Sequence, residues 1–149
     1  KNDVSFIFTS PGADVESNLI KKKIAQFIKK NKNSYLFKSL GSEKYYSLLK
    51  ISNLMLGNSS SGILEMPYFN KTTVNIGSRQ KGRLMDKSVI NVAWNKTIIK
   101  KEIHRALYQK KINKNRHLFG SGKSTKMIIK ILSRVNCNRI LIKKFNDII

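Results

Sequence analysis

Six small residues, Gly57-Asn58-Ser59-Ser60-Ser61-Gly62, stand between a short apolar run, Leu54-Met55-Leu56, and the apolar pair Ile63-Leu64 that leads into Glu65. A strand, a small polar turn and a helix start in that order make an anion site. Exposed N–H groups and hydroxyls converge there on phosphate oxygens, and the helix dipole adds about half a positive charge at that end. Glu65 places a carboxylate one turn inside. Beside phosphate a carboxylate is repulsive unless it binds another group, and a vicinal diol such as a ribose is the usual one. The chemistry so read is that of a nucleotide rather than a bare anion.

A second cluster, Gly77-Ser78-Arg79-Gln80-Lys81-Gly82-Arg83, packs three cations and two glycines into seven residues after another apolar run. A solvated basic loop is the other reading when it is taken alone; beside the serine turn it reads as a phosphate partner. Gly120-Ser121-Gly122-Lys123-Ser124-Thr125 resembles a P-loop only superficially, because the phosphate loop requires glycine five positions before Gly122 and His117 stands there. A helix N-terminus capped by Ser121 or Ser124 is the expected role. His104 and His117 lack Cys, Asp or Glu at ligand spacing, so no metal is expected. The chain has only eight acidic residues, and no complete acid/base pair can be assembled from them, which leaves catalytic residues unassigned.

The elements that must carry these clusters follow from periodicity. Strands are expected at residues 4–9, 34–37, 54–56, 72–76 and 89–92, where short apolar or β-branched runs are bounded by Gly, Asn, Pro or Ser. Helical spacing of apolar residues runs through Val15, Leu19, Ile20, Ile24, Phe27 and Ile28, through Tyr45, Leu48 and Leu49, through Ile98, Ile99, Ile103, Ala106 and Leu107, and through Met127, Ile128, Ile131, Leu132 and Val135. A further helix is expected from about Gly62 to Tyr68. Strands and helices alternating in this way imply an α/β fold, a Rossmann-like parallel sheet covered by helices on both faces, with ligands at the carboxyl ends of the strands. The whole of residues 1–149 reads as one domain, without repeat or linker. The tail from Arg139 onward is amphipathic, helical or extended.

Composition bounds the setting. Cys137 is the only cysteine, which excludes an internal disulfide framework and suits a reducing compartment. No apolar run is long enough to span a bilayer, so a cytoplasmic protein is expected. Opening at Lys1 directly before a strand, the chain looks like part of a longer one. Its formal net charge of +22 would suit nucleic acid, but 24 Lys stand against 6 Arg over most of the helices. Nucleic-acid sites favour Arg forks and aromatic platforms. Nucleic acid is therefore the less favoured partner, and a basic nucleic-acid-binding module stands as an alternative.

The central segment from Gly57 to Glu65, followed by Pro67, Thr73-Val74-Asn75-Ile76-Gly77 and Arg79-Gln80-Lys81-Gly82-Arg83, resembles the hydrolysing UDP-N-acetylglucosamine 2-epimerases, in their sialic-acid-type branch. Weaker likeness extends to Ser10-Pro11-Gly12-Ala13-Asp14, to the turn from Phe119 to Lys123 and to the tail from Lys143 to Ile148. The resemblance implies a GT-B architecture of two Rossmann-like domains, of which this chain supplies the C-terminal one. The N-terminal domain of the same parent and a homo-oligomer of that parent are the implied partners. It implies elimination of UDP from UDP-GlcNAc or a related UDP-2-acetamido sugar and hydration of the glycal to the free 2-epimer, without cofactor or metal. It further implies a UDP site made of Asn58, Ser59, Ser60, Ser61 and Gly62 at the diphosphate, Glu65 at the ribose and Arg79 near the nucleotide. Phe37 and Gly41 are placed at the uracil by position. Gly12 departs from the Asn common in the family's first turn, and the family's candidate acid/base carboxylates lie mostly in the other domain. The isolated chain is expected to bind UDP weakly without turnover. A UDP-sugar glycosyltransferase domain of GT-B type is the other alternative.

Overall fold

The computed structural model describes residues 4–12, 17–108, 118–120 and 122–136. Asp14, His117, Ser121, Cys137 and the tail from Arg139 lie outside the described residues. The described chain is α/β, and all its strand pairs are parallel. It divides into two compact units, residues 1–52 and 53–149.

In the first unit, β1 (Phe6–Thr9) pairs in parallel with β2 (Ser34–Phe37), and the crossover between them is helix α1 (Ser17–Lys30). The first strand begins at Phe6 rather than Val4. Phe27 on α1 meets Phe6 and Phe8 edge-on, with ring centroids 5.3 and 5.6 Å away, so the aromatic residues of the strand and the apolar stripe of the helix find each other. Helix α2 (Gly41–Ile51) follows, with Leu49 buried. It starts at Gly41, whose φ of +65° is in the left-handed region that glycine adopts without strain.

The second unit holds a three-stranded parallel sheet in the order β3 (Leu54–Gly57), β4 (Thr72–Ile76), β5 (Val89–Val92). Its centre is β4, where Thr72, Thr73, Val74 and Asn75 are all buried. Helix α4 (Lys96–Tyr108) contributes Ala106 to a core with Val74 and Val92, and Leu54, Ile76, Ile90 and Ile99 pack around them. Asn95 caps α4, its Oδ1 accepting from the N–H groups of Thr97 and Ile98 at 2.9 and 3.1 Å.

Three expectations change. The single helix over residues 62–68 is two elements, α3 (Ser61–Leu64) and a 3-10 turn (Met66–Phe69). Pro67 has no N–H to give the carbonyl of Ile63, so the α-helical ladder breaks there. Asn70, at φ 55°, then reverses the chain into β4. Strands and helices do not alternate throughout either. The crossover from β4 to β5 is the basic loop itself, residues 77–88, without a helix; about a dozen residues are enough to return a chain parallel to itself. Finally, α5 (Ser124–Leu132) has Lys123 at its cap position and no side-chain cap. Lysine has no acceptor to offer, and Ser124 is already the first helical residue.

Candidate nucleotide site

The carboxyl ends of the three strands in the second unit are level, with Gly57 opposite Asn75 and Asn75 opposite Asn91. Both clusters singled out by composition leave from this edge. The serine turn leaves β3 through Gly57 and enters α3. It is held from beneath: Ile63 and Met66 are fully buried, and Thr73 Oγ1 on β4 donates to the Gly62 carbonyl at 2.7 Å. Gly62 is needed for closeness rather than for an unusual backbone angle. A Cβ there would lie 2.6 Å from Thr73 Cγ2 and 3.1 Å from Met55 Sδ.

Within the turn the donors divide into two groups. The N–H of Ser61 points back to Ser59 Oγ at 3.3 Å, and that of Gly62 to the Ser59 carbonyl at 3.2 Å. The N–H groups of Ser59 and Ser60 make no hydrogen bond with any described residue. Ser59 is exposed and Ser60 partly so. Two backbone donors and two hydroxyls are thus available to an anion. The Ser61 hydroxyl, by contrast, donates to Glu65 Oε2, one turn along. It orients that carboxylate and leaves the other oxygen, Oε1, outside this bond. A carboxylate oxygen accepts from hydroxyls, as a diol requires.

The basic loop starts at Gly77, whose N–H donates to the Val92 carbonyl at 2.8 Å and whose φ is +80°. A Cβ at Gly77 would meet the Trp94 indole, 2.5 Å from Nε1, so the glycine also makes room for that ring. Arg79, Lys81 and Arg83 are exposed, and none forms an ion pair among the described residues. Gln80 alone is drawn in, at 3% exposure, and its Nε2 donates to the Asn58 carbonyl at 2.8 Å. That bond brings the two predicted clusters together across 22 residues. Beside it, a cavity of about 660 Å³ opens among Asn75, Ser78, Lys81, Arg83, Asn91 and Trp94. Asn75 Nδ2 donates to Asn91 Oδ1 at 2.7 Å at its base.

The expected site residues therefore fall in two places. Asn58, Ser59, Ser60, Ser61, Gly62, Glu65 and Arg79 belong to the second unit, on adjoining loops. Phe37 and Gly41 belong to the first, at the carboxyl end of β2 and the start of α2, an edge also marked by the Ser10 N–H bonded to the Phe37 carbonyl at 3.0 Å. Gln80, Asn75 and Trp94 were not singled out from the sequence. Asn75 carried a signal, a polar residue amid the β-branched run of a buried strand; Gln80, flanked by cations, did not.

A serine turn, a carboxylate one turn inside it and a basic loop pinned to it are on adjoining strand ends, and a model of the family described as UDP-N-acetylglucosamine 2-epimerase matches residues 1–133. The chain belongs to the UDP-N-acetylglucosamine 2-epimerase family. Among curated relatives, it is 39% identical over 152 residues to a Campylobacter jejuni GDP/UDP-N,N'-diacetylbacillosamine 2-epimerase (hydrolyzing), covering 98% of this chain and 39% of that protein. It is 31% identical over 144 residues to the UDP-N,N'-diacetylbacillosamine 2-epimerase (hydrolyzing) of Legionella pneumophila, covering 97% and 38%. It is 43% identical over 104 residues to the polysialic acid biosynthesis protein P7 of Escherichia coli, covering 70% and 26%. The chain thus spans less than two-fifths of the length of these members of the epimerase family and their relative. No described helix is long and apolar enough to cross a membrane.

Proposed function

We propose that this chain is the UDP-binding C-terminal domain of a hydrolysing 2-epimerase acting on UDP-N-acetylglucosamine or a related UDP-2-acetamido sugar. The observation that carries the reading is the pair of free N–H groups at Ser59 and Ser60, with Glu65 set one turn further on by the Ser61 hydroxyl. In the reaction, the anomeric C–O bond breaks, UDP leaves with the bonding electrons and the proton at C2 is removed. The glycal so formed takes up water and is released as the free 2-epimer, a ManNAc-type sugar. Negative charge grows on the β-phosphate as UDP departs. Fixed donors aimed at that oxygen lower the barrier, by about 3 kcal/mol for a well-placed one.

Here Ser59 and Ser60 would supply the donors, Arg79 a cation beside them, and Glu65 the acceptor for the ribose hydroxyls, with Phe37 and Gly41 at the uracil. The acid/base groups would come from the parent's N-terminal domain. The parent would work without a cofactor, as a cytoplasmic homo-oligomer that supplies a sugar for sialic-acid-type cell-surface polysaccharide. Titration of the chain with UDP, UMP, pyrophosphate and a short single-stranded oligonucleotide tests the binding half. Saturable preference for UDP, with amide shifts from Ser59 to Glu65 and at Arg79, supports it; preference for the oligonucleotide without a UDP response overturns it. Release of free 2-epimer by the full-length parent without an acceptor separates it from a glycosyltransferase.

A further inference from the structure

Gln80 is the one buried residue in a stretch, residues 78–84, that is otherwise exposed. The loop turns around it, with the Lys81 N–H donating to the Ser78 carbonyl at 2.9 Å and that of Arg83 to the Gln80 carbonyl at 3.3 Å. The Gln80 amide reaches inward to the Asn58 carbonyl at 2.8 Å, while its Oε1 is buried with no partner. The amide cannot be turned over, because Oε1 would then face a carbonyl oxygen and two acceptors repel. An unmade bond at a buried amide oxygen also costs stability. Methionine would fill the same space without that cost. What a glutamine adds here is its grip on Asn58.

That grip has a geometric consequence. The carbonyl of Asn58 and the N–H of Ser59 lie in one rigid trans peptide plane and point in opposite directions within it. Holding the carbonyl on the Gln80 side turns the Ser59 N–H the other way, and this N–H is one of the two free donors of the turn. Arg79 is the residue next to this anchor in the chain. We propose that Gln80 is a positioning residue: without touching the ligand, it aims the Ser59 N–H at the diphosphate and holds the basic loop against the serine turn. This inference rests on the nucleotide reading given above.

The test is an NMR titration of the whole 149-residue chain with UDP and with uridine, which lacks phosphate, for the unsubstituted protein, Gln80→Met and Gln80→Glu. Both variants should bind UDP about tenfold more weakly at pH 8, with uridine binding unchanged. Protonation turns the Gln80→Glu carboxyl into a donor, so its deficit relative to the unsubstituted chain should shrink at pH 5, while that of Gln80→Met should not. Before any ligand is added, the Ser59 amide signal should already move in Gln80→Met. UDP binding that survives intact in Gln80→Met, or equal losses for UDP and uridine, would overturn the positioning role alone. Absence of UDP binding by the unsubstituted chain would overturn the nucleotide reading and this inference with it.

Discussion

Two turns in this chain have nearly the same composition and opposite fates. Residues 57–62 and residues 120–125 are both rich in Gly and Ser, with Asn58 in one and Lys123 and Thr125 in the other, and a helix starts within each. The first is tied down from three sides: Thr73 bonds the Gly62 carbonyl, Gln80 bonds that of Asn58, and Ile63 is fully buried beneath. The second leads into α5, which has no side-chain cap and no buried residue, with Met127, Ile128, Ile131 and Leu132 all more than half exposed. Small residues free the backbone to approach a ligand, yet they also loosen it. Donors gain by facing phosphate only when something else holds them still. The difference between the turns lies in their neighbours in the sheet.

Several substitutions separate the two turns. Gly62→Ala should cost about 2 kcal/mol, since its Cβ would overlap Thr73 and the strand beneath has no room to give. Thermal unfolding would show this as a drop of several degrees, whereas Gly122→Ala, with open space around it, would show only the smaller penalty of its positive φ. Next in size, Glu65→Ala should weaken UDP about tenfold and leave pyrophosphate nearly unchanged; equal losses would remove Glu65 from the ribose. Arg79→Ala should lower affinity for both ligands about fivefold if, as proposed, its exposed charge faces the phosphates; no change in either titration would remove it from the site. Ser124→Ala, in the other turn, should leave both titrations as they were. Smallest is Lys123→Ser, which gives α5 the cap it lacks. About 0.5 kcal/mol of local stability should follow, read as slower amide exchange in α5 with UDP binding untouched.

Much of the architecture was legible because the strands are short, mostly apolar runs bounded by turn residues. Four of the five expected strands coincide with the observed ones to within a residue, and β1 is shorter only at its start. The serine turn was legible as a turn, since Gly57 and three serines follow the apolar run of β3 directly and lead into α3. What escaped depends on geometry beyond local pattern. Pro67 was visible, but the apolar spacing around it continued a helix that its missing N–H interrupts. The basic loop was singled out for its charge, but its second role, a helix-free crossover between the parallel strands β4 and β5, was not legible. Gln80 between Arg79 and Lys81 has the sequence context of a surface residue. Only the position of the Asn58 carbonyl, 22 residues earlier, makes it an internal one.

Trp94 is the only tryptophan in the chain, and it lies over Gly77 at the root of the basic loop with three-quarters of its surface exposed. Its indole is therefore a built-in optical probe of that loop. Light absorbed at the red edge of the protein spectrum is emitted from this single ring, and a change in its contact with water shifts the emission colour. Binding of an anion beside Trp94 would be read in a stopped-flow cuvette without attaching a dye.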